Sequence, residues 1–110
     1  LGYLPSLVGY AQAPQALTAA TGVVSVTHAI TTIATGAASA YSLANGTPGQ
    51  TKHIVMITDG GNAVITVATP GMPGTDTTLT FDTVGDACTL LFIDTTSGWA
   101  VVGNNGVAVA

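Results

Sequence analysis

Glycine, proline, asparagine and aspartate interrupt this chain about every eight to twelve residues, and that spacing limits what it can fold into. That spacing of turn signals suits short strands arranged as a sandwich or barrel. The residues between the interruptions agree. Glu and Arg are absent, Lys occurs once, and Thr occurs 19 times. Thr and Val favour a pleated, half-buried surface over a helix. The expectation is an all-β fold: a single-domain antiparallel sandwich or barrel, jelly-roll-like, with an extended N-terminal arm.

The length of 110 residues fits one domain. We divide it into an arm or linker over residues 1–21 and a β-domain over residues 22–110. The arm carries Pro5 and Pro14, several alanines and no period of two. One helical turn is expected around Ala16–Ala19. Leu1, Tyr3, Leu4, Leu7, Val8 and Tyr10 give the arm apolar groups without periodicity, which marks them as candidate contacts to a partner chain. Ala11-Gln12-Ala13 has the small-x-small spelling of a leader-cleavage site, but no basic stretch precedes it. No run approaches the ~20 apolar residues of a membrane helix.

Within the body, Val24, Val26, His28 and Ile30 alternate with Val23, Ser25, Thr27 and Ala29, as in one continuous strand. Ala38–Leu43 reads as a second strand. Lys52–Thr58 and Ala63–Ala68 flank Asp59-Gly60-Gly61-Asn62, the strongest hairpin signal in the chain. Thr78–Asp82, Ala87–Asp94, Trp99–Val102 and Val107–Ala110 follow, for seven to nine strands in all.

Charge narrows the function. Five Asp and one Lys make up 5% of the chain, against about 25% in an ordinary soluble domain. With Lys52 as the lone basic residue, phosphate binding has no support, so no nucleic acid is expected as a partner. Either Thr, Ser, Asn and Gly cover the surface or other chains cover much of it, and the apolar fraction of 47% favours the second.

The chemistry-bearing residues do not assemble in sequence. His28, His53, Cys88 and the aspartates share no metal-ligand spacing, so no metal and no cofactor are expected. Asp59-Gly60-Gly61-Asn62 lacks the further oxygen ligands of a calcium loop. Asp82, Asp86 and Asp94 fall at strand ends and turns, where aspartate serves local hydrogen bonds. Cys88 has no basic neighbour to activate it. Trp99, after Gly98 at a strand start, reads as a core or interface anchor. No catalytic residue is assigned, and the chain is expected not to be an enzyme.

One resemblance covers roughly Thr21–Ala110. It is carried by Leu43-Ala44-Asn45-Gly46, Gly49-Gln50-Thr51-Lys52-His53-Ile54, Asp59-Gly60-Gly61-Asn62-Ala63-Val64, Leu79-Thr80-Phe81, Gly85-Asp86-Ala87-Cys88-Thr89-Leu90-Leu91-Phe92 and Gly98–Gly106. This succession resembles a β-module of tailed-bacteriophage virion proteins, found in capsid decoration (cement) proteins, head fibres and tail fibres. The resemblance implies a homotrimer on the capsid surface of a virion, contacting the major capsid protein or another virion protein. It transfers no site chemistry. Two other roles stay open: a receptor- or glycan-binding fibre head, using loops such as Thr47–Gln50 or Met72–Asp76, and a subunit of an extracellular filament.

Overall fold

The computed structural model describes residues 12–71 and 74–110. Over these residues the chain forms ten strands. They are β1 (Gln15–Leu17), β2 (Thr21–Val24), β3 (Ile30–Ala34), β4 (Ser39–Leu43), β5 (Thr51–Thr58), β6 (Ala63–Val67), β7 (Thr78–Phe81), β8 (Ala87–Phe92), β9 (Trp99–Asn105) and β10 (Ala108–Val109). Two five-stranded sheets result, sheet A in the order β1-β3-β5-β8-β9 and sheet B in the order β10-β7-β6-β4-β2.

The first six strands alternate between the sheets. β1, β3 and β5 pair in parallel in sheet A, and β2, β4 and β6 pair in parallel in sheet B. Residues 15–67 therefore wind as three stacked coils, each contributing one strand to each sheet. The remaining strands pair antiparallel: β7 on β6, β8 on β5, β9 on β8 and β10 on β7. The all-β sandwich expected from sequence is what the chain forms, with mixed rather than purely antiparallel sheets.

Period-two alternation accounts for the core. In β8 Cys88, Leu90 and Phe92 are buried while Ala87, Thr89 and Leu91 are half-buried on the outside. β5 and β6 turn Ile54, Met56, Ala63, Ile65 and Val67 inward the same way. Trp99 is fully buried, packs edge-on to Phe92 at 5.2 Å between ring centroids, and donates its indole N–H to the Ala44 carbonyl at 3.0 Å. It is a core anchor. A Cβ on Gly46 would lie 2.8 Å from its ring, so the Asn45-Gly46 step admits the indole by having no side chain.

Three local expectations are corrected. Ala16 and Leu17 belong to strand β1, not to a helical turn, because Gln15, Ala16 and Leu17 pair with Thr31, Thr32 and Ile33. Strand structure thus begins inside the stretch assigned to the arm. The alternating run Val23–Ile33 is broken into β2 in sheet B and β3 in sheet A, with residues 25–29 crossing between the layers. The Lys52–Thr58 and Ala63–Ala68 segments are not a hairpin: β5 and β6 lie in opposite sheets.

The glycines of that last connection explain the misreading. Neither Gly60 nor Gly61 has a positive φ, the property a tight hairpin would need. Instead each faces the corner of the coil before it. A Cβ on Gly60 would press on the Thr35 carbonyl and on Gly36 Cα, and one on Gly61 on the backbone of Ala37 and Ala38. Thr35, buried at that earlier corner, donates its hydroxyl to the Gly61 carbonyl at 2.6 Å and accepts the Gly60 N–H at 3.0 Å. The Ser39 N–H closes the contact on the Asn62 carbonyl at 2.8 Å. Glycine here permits one backbone to lie on another.

Gly61→Ala is expected to cost about 2–3 kcal/mol in urea unfolding, because backbone must move to admit the methyl group. Gly36→Ala, where a Cβ meets nothing within 4 Å, should leave stability unchanged or raise it by under ~1 kcal/mol. Equal tolerance at both positions would contradict the stacked-corner assignment.

Candidate functional site

The only cation of the chain lies inside the sandwich. Lys52 alternates in register with Ile54 and Met56 along β5, so the period of the strand turns it inward. It is 0% exposed. Its ammonium donates to the Thr31 hydroxyl at 2.7 Å and to the His28 carbonyl at 2.9 Å. The Thr31 hydroxyl in turn donates to Gln15 Oε1 at 2.9 Å. Gln15 completes the cluster through the Ser25 N–H, which donates to the same Oε1 at 2.8 Å, and through its own Nε2, which donates to the Val23 carbonyl at 2.9 Å.

Two further glutamines act on the same segment. Gln12 Oε1 accepts the Ala29 N–H at 2.9 Å, and its Nε2 reaches the Thr27 carbonyl at 3.4 Å. Gln50 Nε2 donates to the Val26 carbonyl at 2.5 Å while its Oε1 accepts the Thr47 N–H at 2.9 Å. All three glutamines of the chain, and its one lysine, therefore hold the backbone of residues 23–29. Residues 25–29 of that segment cross from sheet B to sheet A, and the groups bonded here are not taken up by a neighbouring strand. The carboxamides supply their partners. Gln15 bonds a carbonyl and an N–H two residues apart, and Gln12 does the same; a neighbouring strand's peptide would meet them in that way.

This cluster fixes backbone and is closed to substrates from solution. An amine against a hydroxyl could in principle activate the hydroxyl as a nucleophile. Both Lys52 and Thr31 are 0% exposed, so no substrate reaches them. Burial lowers the Lys52 pKa from the usual 10.5 to about 8. No buried side-chain nitrogen or oxygen among the described residues lacks a hydrogen-bond partner.

The other candidates are dispersed. His28 is half-buried on the crossover with Nδ1 2.8 Å from Ser25 Oγ, and His53 is exposed on the outside of sheet A with Nδ1 2.9 Å from Thr89 Oγ1. Cys88 is buried, and burial pushes its thiol up to about 12. Asp86 accepts the N–H groups of Asp82 and Thr83 at 3.0 and 3.1 Å, closing the β7–β8 turn. Asp94 accepts those of Ser97 and Thr96, which hold its carboxyl below the usual range, and closes the β8–β9 turn. Among the described residues no three His, Cys, Asp or Glu side chains gather as a metal site. The arm candidates Leu1, Tyr3, Leu4, Leu7, Val8 and Tyr10 lie outside the described residues.

What remains is surface. The outward side chains of sheet A form rows given by the register: Ala16, Thr32, Val55, Ala87 and Asn105 in one, Ile30, His53, Thr89 and Gly103 in the next, Thr51, Leu91 and Ala100 in a third. Ile57 continues this face at the end of β5 and is 52% exposed. Sheet B turns out Thr21, Val23, Ala40, Ser42, Val64, Thr66, Thr78, Thr80 and Ala108. Neither face carries an Asp or Lys. All five aspartates lie in connections: Asp59, Asp82 and Asp86 at one end of the sandwich, Asp76 and Asp94 at the other. Shallow, open depressions lie on both faces, lined in sheet A by His53, Val55, Ala87, Thr89 and Asn105 and in sheet B by Ser42, Thr66 and Ala68. No helix is long and apolar enough to cross a membrane. No protein-family model matches this chain, nor does any curated protein.

Two predictions follow the buried cluster. Above pH 8 the folded chain releases the Lys52 proton while the unfolded chain keeps it to about 10.5, so stability rises with pH in that window. Cys88 opposes this, because the unfolded thiol ionises near 9.0 and the folded thiol stays protonated to about 12. In Cys88→Ala, urea unfolding is therefore expected to show stability rising from about pH 8 to about pH 9.5, and adding Lys52→Met should abolish the rise. A flat profile in Cys88→Ala would contradict the buried, desolvated ammonium. Separately, Gln15→Ala should cost about 1–3 kcal/mol by stripping partners from the Val23 carbonyl, the Ser25 N–H and the Thr31 hydroxyl. A loss below ~0.5 kcal/mol would reduce the carboxamide to a surface group.

Proposed function

We propose that this chain is a non-enzymatic structural protein that works through protein–protein contacts, as a homotrimeric capsid decoration (cement) protein of a virion. The observation that carries the reading is the pair of outer faces without a formal charge, on a chain whose five carboxylates are confined to turns. A freely soluble monomer disperses both signs of charge over its surface. Faces of Thr, Val, Ile and Ala suit burial against other subunits instead. The pattern of turn residues shared with phage virion β-modules supplies the virion setting.

The physical role is mass action. A protein that binds only the assembled shell stabilises it by its binding free energy, and trimers bridging several capsid subunits multiply that effect. A filament built by adding a strand to the β2 edge has less support, because Gln15 already occupies the Val23 carbonyl and the Ser25 N–H at the end of that edge.

Light scattering on the full chain is expected to give three times the 10.8 kDa chain mass, and the trimer should pellet with capsids of its source. Removing residues 1–11 should weaken capsid binding and leave the β-body folded, since Gln12 and Gln15 remain to brace the crossover. A monomer at all concentrations overturns the trimer. A trimer that ignores capsids and binds cells or glycans overturns the decoration role.

A further inference from the structure

We propose that the Thr31 hydroxyl and the Gln15 carboxamide are the two halves of an internal ester cross-link, formed with loss of ammonia and with Lys52 as the base. The reaction needs no partner and no substrate from solution, since every group lies inside one copy of the chain.

The register brings the reacting groups together. Gln15 and Thr31 are paired residues of the adjacent strands β1 and β3, so their side chains leave the sheet on the same side. Thr31 Oγ1 lies 2.9 Å from Gln15 Oε1. The carbonyl carbon is one C=O bond from that oxygen, which places it no more than about 4.1 Å from the hydroxyl. A near-attack separation is about 3–3.5 Å, so a side-chain rotation closes the gap. The Ser25 N–H donates to the same Oε1 at 2.8 Å and polarises the carbonyl, as a donor to a developing oxyanion does.

Lys52 supplies the base that a threonine hydroxyl requires. Its Nζ lies 2.7 Å from the same Oγ1. As an ammonium it donates to that oxygen, and the hydroxyl proton points to Gln15. Burial lowers its pKa to about 8, so at mildly alkaline pH much of it is free amine. The amine accepts the hydroxyl proton instead, and the oxygen lone pair attacks Gln15 Cδ. The tetrahedral carbon then collapses with cleavage of the Cδ–Nε2 bond, and Lys52 returns the proton to the departing nitrogen. Carboxamide and alcohol become ester and ammonia, the amine is regenerated, and nothing is oxidised or reduced. Thr31 is 0% exposed, which shields the ester from water. Ammonia diluted into solvent as ammonium does not return.

The other titratable side chains on the surrounding elements are engaged elsewhere. His28 turns Nδ1 to Ser25 Oγ at 2.8 Å, His53 projects from the opposite side of β5, Cys88 stays protonated to about 12, and Asp94 is held by the N–H groups of Thr96 and Ser97. None of these side chains is hydrogen-bonded to Lys52, so its own proton sets the pH at which the reaction starts. The product pins the shortest strand of sheet A. β1 has three residues and is held to the sheet along β3 alone. A pull on the residues before it would peel it away. The ester places a covalent bond across its first register pair, so tension from the N-terminal segment passes directly to β3.

The test is the intact mass of the folded full chain, incubated at pH 7 and at pH 9, with circular dichroism confirming the β-fold of each variant. The cross-link is expected as a loss of about 17 Da, one ammonia, accumulating about 10-fold faster at pH 9 than at pH 7. Tandem mass spectrometry of a chymotryptic digest should join residues 15 and 31. A succinimide at Asn45-Gly46 or Asn105-Gly106 would lose the same mass, so the variants decide. Thr31→Val is expected to abolish the loss and Thr31→Ser, which keeps the hydroxyl, to retain it. Lys52→Met should slow it by at least about 100-fold; should that variant fail to fold, the Thr31 pair carries the test. An unchanged mass at both pH values, or a loss that persists in Thr31→Val, overturns the proposal. A digest that joins residue 15 to Lys52 makes the amine the nucleophile and overturns the ester.

Discussion

A chain that alternates strands between two layers must turn a corner after every strand, and at each corner the backbone leaves the ladder that satisfies it. Buried N–H and carbonyl groups without partners cost more than single hydrogen bonds return. The rest of this structure depends on how the corners meet that demand. At one end the corners stack backbone on backbone, with Thr35 joining the corner of the second coil to Gly60 and Gly61 of the third. At the other end side chains take over, and Gln12, Gln15, Gln50 and Lys52 reach the crossover at residues 23–29. The two parallel halves of the sandwich are held in register by these devices. The antiparallel strands β7–β10 then cover the final coil on its open side.

Using the one lysine for this task has a consequence at the surface. With the ammonium inside and the carboxylates confined to turns, both broad faces are left to uncharged side chains. The interior gains a polar group that is expensive to desolvate but donates hydrogen bonds to two oxygen atoms. The exterior gains two faces that bear no Asp or Lys. The same placement of charge therefore fixes the crossover and prepares the faces for association. That connection joins the fold to the proposed role.

The sequence shows the strand segments more clearly than their partners. Turn residues bracket β4 to β9 closely, and the alternation of Cys88, Leu90 and Phe92 with Ala87, Thr89 and Leu91 identifies the inward side of β8. Sheet membership was hidden, because Asp59-Gly60-Gly61-Asn62 has the same composition whether its glycines supply positive φ or close approach. β1 was hidden for a related reason: three residues carry no measurable period, and Gln15–Leu17 becomes a strand only because β3 offers an edge. The Lys52 position was open to inference. Lys52, Ile54 and Met56 share one side of any strand, so a cation was pointing inward beside two core residues. The glutamines gave no signal, since a carboxamide that imitates a neighbouring strand is recognisable only once the crossover exists.

The central claim is that these uncharged faces are buried against copies of the same chain. Sedimentation equilibrium of the full chain as a function of ionic strength tests it most directly. Each copy carries a net charge of −4, none of it on these faces, so association gathers like charges at the rims and buries apolar groups between them. Raising salt from about 10 mM toward 1 M shortens the screening length from ~30 Å to ~3 Å and relieves the repulsion. The account predicts a trimer whose dissociation constant falls as salt rises. A complex that weakens with salt would mean that opposite charges hold it together, and the account would be wrong.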